Sequence, residues 1–578
     1  MPPRLRVSLG QCSDKGRKAI NQDCHGAIIP AEPLLSTKGV ALALSDGISS
    51  SDVSHIASES VVKSFLADYY CTPEAWSVKT SAQRVLAATN SWLHAETRRG
   101  RLADNSDRGY VCTLSAAVFK ATTLHLFQIG DSRISRVAGG TLEQLTDEHR
   151  VYVSAGQSYL ARALGINPQV EIDYRALPID LGDVFVLATD GVYEHISPQD
   201  IVRTIKENAL DLDKAAQTIV ASALSDGSLD NLTVQIARID EVPDGEADEI
   251  LGLASQLPVP SLPQARDLFE GYRIVRELHG TSRSHVYLAV DSETDTPVVL
   301  KIPSIEKRDD ADYLRRFVIE EWIARRIDSP HVLKPHASAR RRGSLYVATE
   351  FIDGQTLTQW LIDNPRPPLE AVRRIIEQIA AGLTAFHRME MLHQDLRPDN
   401  VMIDRTGTVK IIDFGATNVA GVAEATHDGG RNDILGTAQY TAPEYFIGDG
   451  GSPASDLFSL GVIAYQMLTG RLPYGTRVAQ VRARSELAKL VYRSAQDDDR
   501  GGVPAWVDGA IRRAVAPDPA KRHEALSEFV FELRHPNPRY LERAHIPWIE
   551  RDPLLFWKCL SLILAAAIIL LLALHVAR

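Results

Sequence analysis

His393-Gln394-Asp395-Leu396-Arg397-Pro398-Asp399-Asn400, followed by Asp413-Phe414-Gly415, decides the reading of the C-terminal half of this chain. Upstream, Val298-Val299-Leu300-Lys301 reads as a strand ending in a lysine, and Arg316-Phe317-Val318-Ile319-Glu320 opens a helical stretch. Transfer of a phosphoryl group from a nucleotide needs a cation on the phosphates, carboxylates for Mg²⁺, and a carboxylate that receives the acceptor's proton. The residue types in these stretches supply each part. A lone lysine or aspartate reads as surface charge; an ordered set at wide spacing does not.

The N-terminal half carries a different pattern. Acidic residues stand beside tight turns after apolar runs: Ala41-Leu42-Ala43-Leu44-Ser45-Asp46-Gly47, Leu126-Phe127-Gln128-Ile129-Gly130-Asp131-Ser132-Arg133, Val186-Leu187-Ala188-Thr189-Asp190-Gly191 and Gly227-Ser228-Leu229-Asp230-Asn231. Any one Asp-Gly is a turn signal. Together they place carboxylates at successive strand ends, a donor set suited to Mg²⁺ or Mn²⁺. Two such ions about 3.5–4 Å apart clamp a phosphoryl group and activate water. The alternation predicts strands over Val40–Leu44, Thr123–Ile129 and Val184–Ala188, and a helix over Ala57–Tyr69.

With Asn21-Gln22-Asp23 and Leu145-Thr146-Asp147-Glu148-His149, these motifs resemble the metal-dependent protein phosphatases of the PPM, or type-2C, family over residues 5–240. The resemblance implies an α/β/β/α sandwich with two or three Mg²⁺ or Mn²⁺ ions. It implies Asp46, Asp190 and Asp230 as ligands, with the Gly47 carbonyl, Asp23 through a bound water, and Asp131 at a weaker third metal. Lys18 stands where many relatives carry a phosphate-gripping arginine, and supplies a point charge in place of a fork. Ile48 stands where animal relatives carry a histidine, so that candidate acid is missing.

The second half resembles the eukaryotic-like serine/threonine protein kinases over residues 271–534. Supporting stretches are Gly436-Thr437-Ala438-Gln439-Tyr440, Ala442-Pro443-Glu444, Ser455-Asp456-Leu457-Phe458-Ser459-Leu460-Gly461 and Asp518-Pro519-Ala520-Lys521-Arg522. The resemblance implies a bilobal fold that binds ATP with Mg²⁺. Lys301 would contact the phosphates and pair with Glu320, Asp395 would be the catalytic base, Asn400 and Asp413 would hold Mg²⁺, and Arg397 would lie near the γ-phosphate. The chain departs from the pattern twice. The glycine-rich loop reads His279, Thr281 and Ser284 at its glycine positions, with Gly280 alone nearby, and the catalytic-loop arginine is Gln394. Activity should then not depend on a phosphorylated activation loop, although Thr426, Thr437 and Thr441 offer hydroxyls for autophosphorylation, in cis or in trans.

The chain has 578 residues, 63 Lys and Arg against 74 Asp and Glu, and a formal charge of -11. That balance disfavours a nucleic-acid partner. The five cysteines form no C-x-x-C pair, which fits a reducing compartment. Cys24 and Cys112 read as buried, inert thiols. From Leu554 to Val576 the only charge is Lys558. A helix of that length is about 35 Å long against a hydrocarbon core of roughly 30 Å. Trp548 and Trp557 suit the interface, and Arg543, Arg551 and Lys558 precede the span while Arg578 follows it. A single-pass anchor in the bilayer with cytoplasmic catalytic domains is the expectation.

The expected organisation is α+β and multidomain: a phosphatase domain at 1–240, an acidic and then proline-containing linker at 241–268, a kinase domain at 269–534, a juxtamembrane segment at 535–553 and a transmembrane helix at 554–576. Two functions compete. One is a bifunctional enzyme acting on proteins and phosphoproteins. The other is a phosphatase tethered to a non-catalytic, ATP-binding or scaffold domain, which the degraded glycine-rich loop favours.

Overall fold

The computed structural model describes residues 4–99, 108–154, 157–243, 257–336, 340, 342–423, 439–497, 502–541, 557–562 and 564. The N-terminal strands are β1 (Arg6–Asp14), β2 (Cys24–Ile28), β3 (Val40–Ser45), β4 (Leu114–Lys120), β5 (Thr123–Ile129), β6 (Arg133–Ala138), β7 (Thr141–Gln144), β8 (Arg150–Ser154), β9 (Gln157–Leu160), β10 (Asp173–Pro178), β11 (Val184–Ala188) and β12 (Leu232–Glu241). They form two antiparallel sheets, ordered β1-β12-β11-β6-β7 and β10-β5-β4-β3-β2, with β8 and β9 as a separate hairpin.

β3 shows why both sheets are covered. Successive strand side chains point to opposite faces. Val40, Leu42 and Leu44 meet Ile134, Phe185 and Leu187 between the sheets. Ala41 and Ala43 face outward onto Phe65, Tyr69 and Leu86 of helices α2 (Ser54–Cys71) and α3 (Val78–Arg99). On the other side, Val186, Val234 and Ile236 pack on Ile201, Ile205 and Ile219. The result is the four-layer α/β/β/α sandwich. The expected helix at Ala57–Tyr69 lies inside α2, and the three expected strands are β3, β5 and β11. All five cysteines are free thiols; Cys112 is buried, which pushes its thiol up to about 12, and Cys24 is half-buried.

The second domain opens with an antiparallel sheet of β13 (Leu268–Phe269), β14 (Tyr272–Gly280), β15 (Ser284–Asp291), β16 (Pro297–Pro303) and β17 (Val347–Glu350). One helix, Ala311–Arg326, packs beside it. A larger helical lobe follows, in which Leu369–Arg388, Pro453–Thr469, Ala505–Ala514 and Leu526–Arg534 surround a common core. The helix carrying Glu320 begins five residues before Arg316, because the Asp310 side chain caps it by accepting from Tyr313 N at 3.0 Å.

Two stretches near the domain limits pack onto the second domain. Leu257 and Val259, in the proline-containing part of the expected linker, join Phe317 and Leu345, and Pro258 O accepts from Leu345 N at 2.9 Å. Pro538–Leu541 forms a helical turn whose Tyr540 donates to Glu532 at 2.8 Å. Of the expected membrane span, residues 557–562 and 564 are helical, and the remainder lies outside the described residues. Among the described residues no helix is long and apolar enough to cross a membrane.

The larger lobe is pinned by a fully buried ion pair. Arg522 donates to both oxygens of Glu444 at 2.7 Å. Removing one partner of a buried pair strands the other charge, at a cost of about 3–5 kcal/mol. We predict that Arg522→Met lowers the denaturation midpoint of the second domain's transition and leaves that of the first in place. Urea unfolding followed by domain-specific peptides in hydrogen exchange checks this; an unmoved second transition contradicts it.

Candidate functional sites

The carboxylates of the first domain collect at one edge of the sandwich, where β3 and β11 end. Asp46 follows β3 and is fixed by a two-way bond with Thr113: Asp46 N donates to Thr113 Oγ1 at 3.0 Å, and Thr113 N donates to Asp46 O at 2.8 Å. Asp190 opens a helical turn after β11. Gly191 next to it leaves no room for a Cβ, which would lie 2.0 Å from Asn231 O. That close approach sets Asp190 against Asp230. Asp23 is buried; Oδ2 accepts from Thr233 at 2.7 Å and from Thr189 at 3.1 Å, while Oδ1 has no hydrogen-bond partner.

Their charges are compensated by cations from elsewhere in the chain. Arg150, at the start of β8, reaches Asp131 at 2.7 Å, Asp190 at 2.6 Å and Glu194 at 2.7 Å. Lys18 pairs with Asp230 at 2.7 Å and donates to Ser49 Oγ at 2.7 Å. The sequence reading missed Arg150 and Glu194. The signal for Arg150 was its place directly after the Asp147-Glu148-His149 motif. His149 itself is turned away, accepting from Gly130 N at 3.1 Å and bonded to Asp173 at 2.9 Å.

Burial pushes Asp23 up to about 6. Burial, then the Asp131 charge, pushes Asp190 up to about 7 against the pull of Arg150. Asp46 is raised well above the usual carboxylate range by burial and then by Asp23, Asp190, Asp131 and Asp230. Among the described residues no three acidic, histidine or cysteine side chains converge tightly enough to hold a metal as they stand. The oxygens of Asp131, Asp190 and Asp230 face Arg150 and Lys18 instead. The donor set is nonetheless that of a hard-cation site: Asp carboxylates that repel one another, with one buried, unpartnered oxygen on Asp23.

In the second domain Lys301 Nζ lies 2.6 Å from Glu320 Oε2 and 3.4 Å from Asp413 Oδ1. Burial lowers the lysine's pKa, but the Glu320 and Asp413 charges outweigh it and hold it well above its ordinary value. Lys301 in turn holds Asp413 below the ordinary carboxylate range. Asn400 Nδ2 donates to Asp395 O at 2.8 Å and Asp395 Oδ2 at 3.1 Å, and Arg397 Nε stands 3.9 Å from Asp395 Oδ2. Buried Phe414 packs on Phe386 and His393. Asp456 accepts from His393 N at 3.0 Å and Gln394 N at 3.1 Å, clamping the loop that bears Asp395. Lys301, Glu320 and Asp413 thus form one cluster and Asn400, Asp395 and Arg397 another, and Ile412 N, beside Asp413, donates to Asn400 O at 2.8 Å between them. Gly280 ends β14 apart from them, at a hairpin where Thr281 Oγ1 accepts from Arg283 N at 3.2 Å and Ser284 N at 3.1 Å.

The family model for "Protein kinase domain" matches residues 272–538, and that for "Protein phosphatase 2C" matches residues 13–226. The serine/threonine-protein kinase PknL of Mycobacterium tuberculosis is 31% identical over 280 residues, covering 46% of this chain and 69% of PknL. The serine/threonine-protein kinase PrkC of Bacillus subtilis is 30% identical over 264 residues, covering 46% of this chain but only 40% of PrkC's length. A solved Mycobacterium tuberculosis serine/threonine phosphatase, PstP/Ppp, is 23% identical and covers 40% of this chain and 99% of its own, at a TM-score of 0.35. Through its second domain the chain belongs to the serine/threonine protein kinases. It joins that kinase domain to a phosphatase domain of the type-2C family.

The raised carboxyls give the metal-free protein a defined pH response. Asp23 and Asp190 have folded-state pKa values of about 6 and about 7, above their unfolded value of 3.8. The stability they contribute is full below about pH 4 and is lost as pH rises through those folded values. We predict that in EDTA the thermal midpoint of the first domain falls between about pH 4 and about pH 7. Asp190→Asn should flatten that fall, and Mn²⁺ should raise the wild-type midpoint at the alkaline end. A metal-free midpoint that rises with pH over this range contradicts the electrostatic account.

Proposed function

We propose that this chain is a membrane-anchored bifunctional signalling enzyme that phosphorylates serine and threonine in proteins and hydrolyses phosphoserine and phosphothreonine. The observation that carries the reading is that both halves hold ordered sets of phosphate-handling side chains, with the glycine-rich loop as the exception. Asp23, Asp46, Asp190 and Asp230 with the Gly47 carbonyl would hold two Mg²⁺ or Mn²⁺ ions, and Asp131 a weaker third. Bound there, such ions lower the pKa of water and neutralise phosphoryl charge. Lys18 supplies a cation for the substrate phosphate, as a point charge.

In the kinase domain Lys301, paired with Glu320, would contact the nucleotide phosphates, and Asn400 and Asp413 would hold Mg²⁺. Asp395, its carboxylate fixed by Asn400, would accept the proton of the substrate hydroxyl, and Arg397, 3.9 Å from Asp395, would offset charge on the transferred group. Leu554–Val576 has the length and apolarity of a span, and the preceding basic residues support an orientation with both domains on the cytoplasmic side.

One observation favours a scaffold reading of the second domain: the Thr281 hydroxyl occupies two amides of the hairpin that would otherwise face phosphate. The readings part in a direct assay. With ATP and Mg²⁺, Asp190→Ala should accumulate more phosphate than wild type, and Asp190→Ala with Asp395→Ala should accumulate none. Asp190→Ala alone should lower Mn²⁺-dependent aryl-phosphate hydrolysis by about 10³-fold or more. If Asp190→Ala incorporates no phosphate and labels no acceptor protein, the scaffold reading replaces the kinase. Full hydrolysis in excess EDTA removes the metal mechanism. For the anchor, deleting residues 553–578 should move the chain from the membrane to the soluble fraction with phosphatase activity retained. An intact chain that salt washing releases contradicts the span.

A further inference from the structure

The loop between α2 and α3, residues Thr72–Ser77, and the first turn of α3 belong to the phosphatase domain, yet they are seated on the kinase domain. Ala75 is fully buried within the core of the larger kinase lobe. Glu74 pairs with Arg326, at the end of the helix that carries Glu320. Trp76 Nε1 donates to Arg388 O at 2.8 Å. Ser77 N donates to Glu390 Oε2 at 2.7 Å, and Thr80 Oγ1 donates to Glu390 Oε1 at 2.5 Å.

The third anchor is Gly421, in the segment that follows Asp413-Phe414-Gly415. Gly421 N donates to Ala75 O at 2.9 Å, and buried Lys120, at the end of β4, donates to Gly421 O at 2.6 Å. Both backbone groups of this residue are therefore held by the phosphatase domain. A Cβ on Gly421 would lie 2.6 Å from Glu74 O and 2.7 Å from Trp76 O, so only glycine allows the approach. The same segment is tied back to the catalytic loop, since Ala420 N donates to Glu390 O at 3.1 Å and the short strand Asn418–Val419 pairs with Met391–Leu392.

One loop thus touches the helix of Glu320, the turn leading to Asp395 and the segment leaving Asp413. In this chain Gln394 stands where an arginine would link a loop phosphate to the catalytic aspartate, so that route to registering these elements is absent. We propose that the Thr72–Thr80 stretch is a positioning element for the kinase reaction, holding the three elements in register in place of that arginine–phosphate contact. The proposal rests on the kinase reading above. The phosphatase domain does this with the end of its sandwich opposite its metal site: Phe119 pairs with Val40 at one end of β3, and Asp46 follows the other. Six strand residues separate the two ends, about 20 Å at roughly 3.3 Å each. The contact leaves the carboxylate edge open to other molecules.

The test uses the full chain. Glu74→Arg and Arg326→Glu each place like charges at the contact, and the double exchange restores the pair. In an Asp190→Ala background, which removes dephosphorylation, each single exchange should lower kcat for a generic acceptor protein about ten-fold. Hydrogen exchange at residues 418–423 and 388–392 should rise with it. The double exchange should bring both back to within about three-fold of the parent. Trp76→Phe, which removes the indole donor and part of its ring, should give a smaller change of the same sign. In the native Asp190 background, aryl-phosphate hydrolysis should be unchanged in every variant, which shows that the first domain has folded, while recovery in the double exchange shows that the second has. A kcat that none of the exchanges moves, or a single-variant loss that the double exchange does not repair, overturns the positioning role alone. A parent chain that transfers no phosphate overturns the kinase reading and the positioning role together.

Discussion

Both candidate sites answer one electrostatic constraint: carboxylates grouped to handle phosphate repel one another and need a cation beside them. In the first domain Asp23, Asp46 and Asp190 are raised by burial and mutual repulsion, and Arg150 and Lys18 supply the positive charge. In the second, Lys301 stands between Glu320 and Asp413. The surrounding structure holds these charges where water alone would not. Thr189 and Thr233 fix Asp23, Thr113 fixes Asp46, and Asp456 clamps the loop of Asp395. Gly191 and Gly421 mark the positions where backbones must approach too closely for any side chain.

The two domains solve the constraint in opposite ways. The phosphatase cations come from β8 and from the chain before Asp23, apart from the strand ends that carry Asp46 and Asp190. The kinase cation is built into β16 and paired with Glu320 and Asp413. This difference fits a site that takes up metal ions in one domain and a site that takes up a nucleotide with its own metal in the other.

Much of this was legible in the sequence because each chemical residue sits at a repeatable place in local structure. Asp46 and Asp190 come just after the apolar strands β3 and β11, and Lys301 lies within a strand of alternating burial; Asp230 departs from that pattern, standing between the helix Leu212–Ser225 and the start of β12. What escaped depended on tertiary contact. Arg150 reaches the carboxylates only because β8 folds over them. The helix of Glu320 starts early because Asp310 caps it. Leu257 and Val259 look like linker between prolines and yet pack on Phe317 and Leu345. The seating of Ala75 in the kinase lobe rests on single residues from a polar loop, with no periodicity to announce it. The membrane span is a reading of composition alone, since most of Leu554–Val576 lies outside the described residues.

The central claim is that one chain both adds and removes protein phosphate through these two groups of carboxylates. The most direct measurement follows label from γ-³²P-ATP on a generic acceptor protein in the presence of Mg²⁺, Mn²⁺ and a limiting amount of ATP. The account predicts that label rises while ATP lasts and then falls to background. Asp190→Ala should hold the plateau, and Asp395→Ala should show no rise. Label that never rises with the wild-type chain, or that rises and does not fall after the ATP is spent, contradicts it.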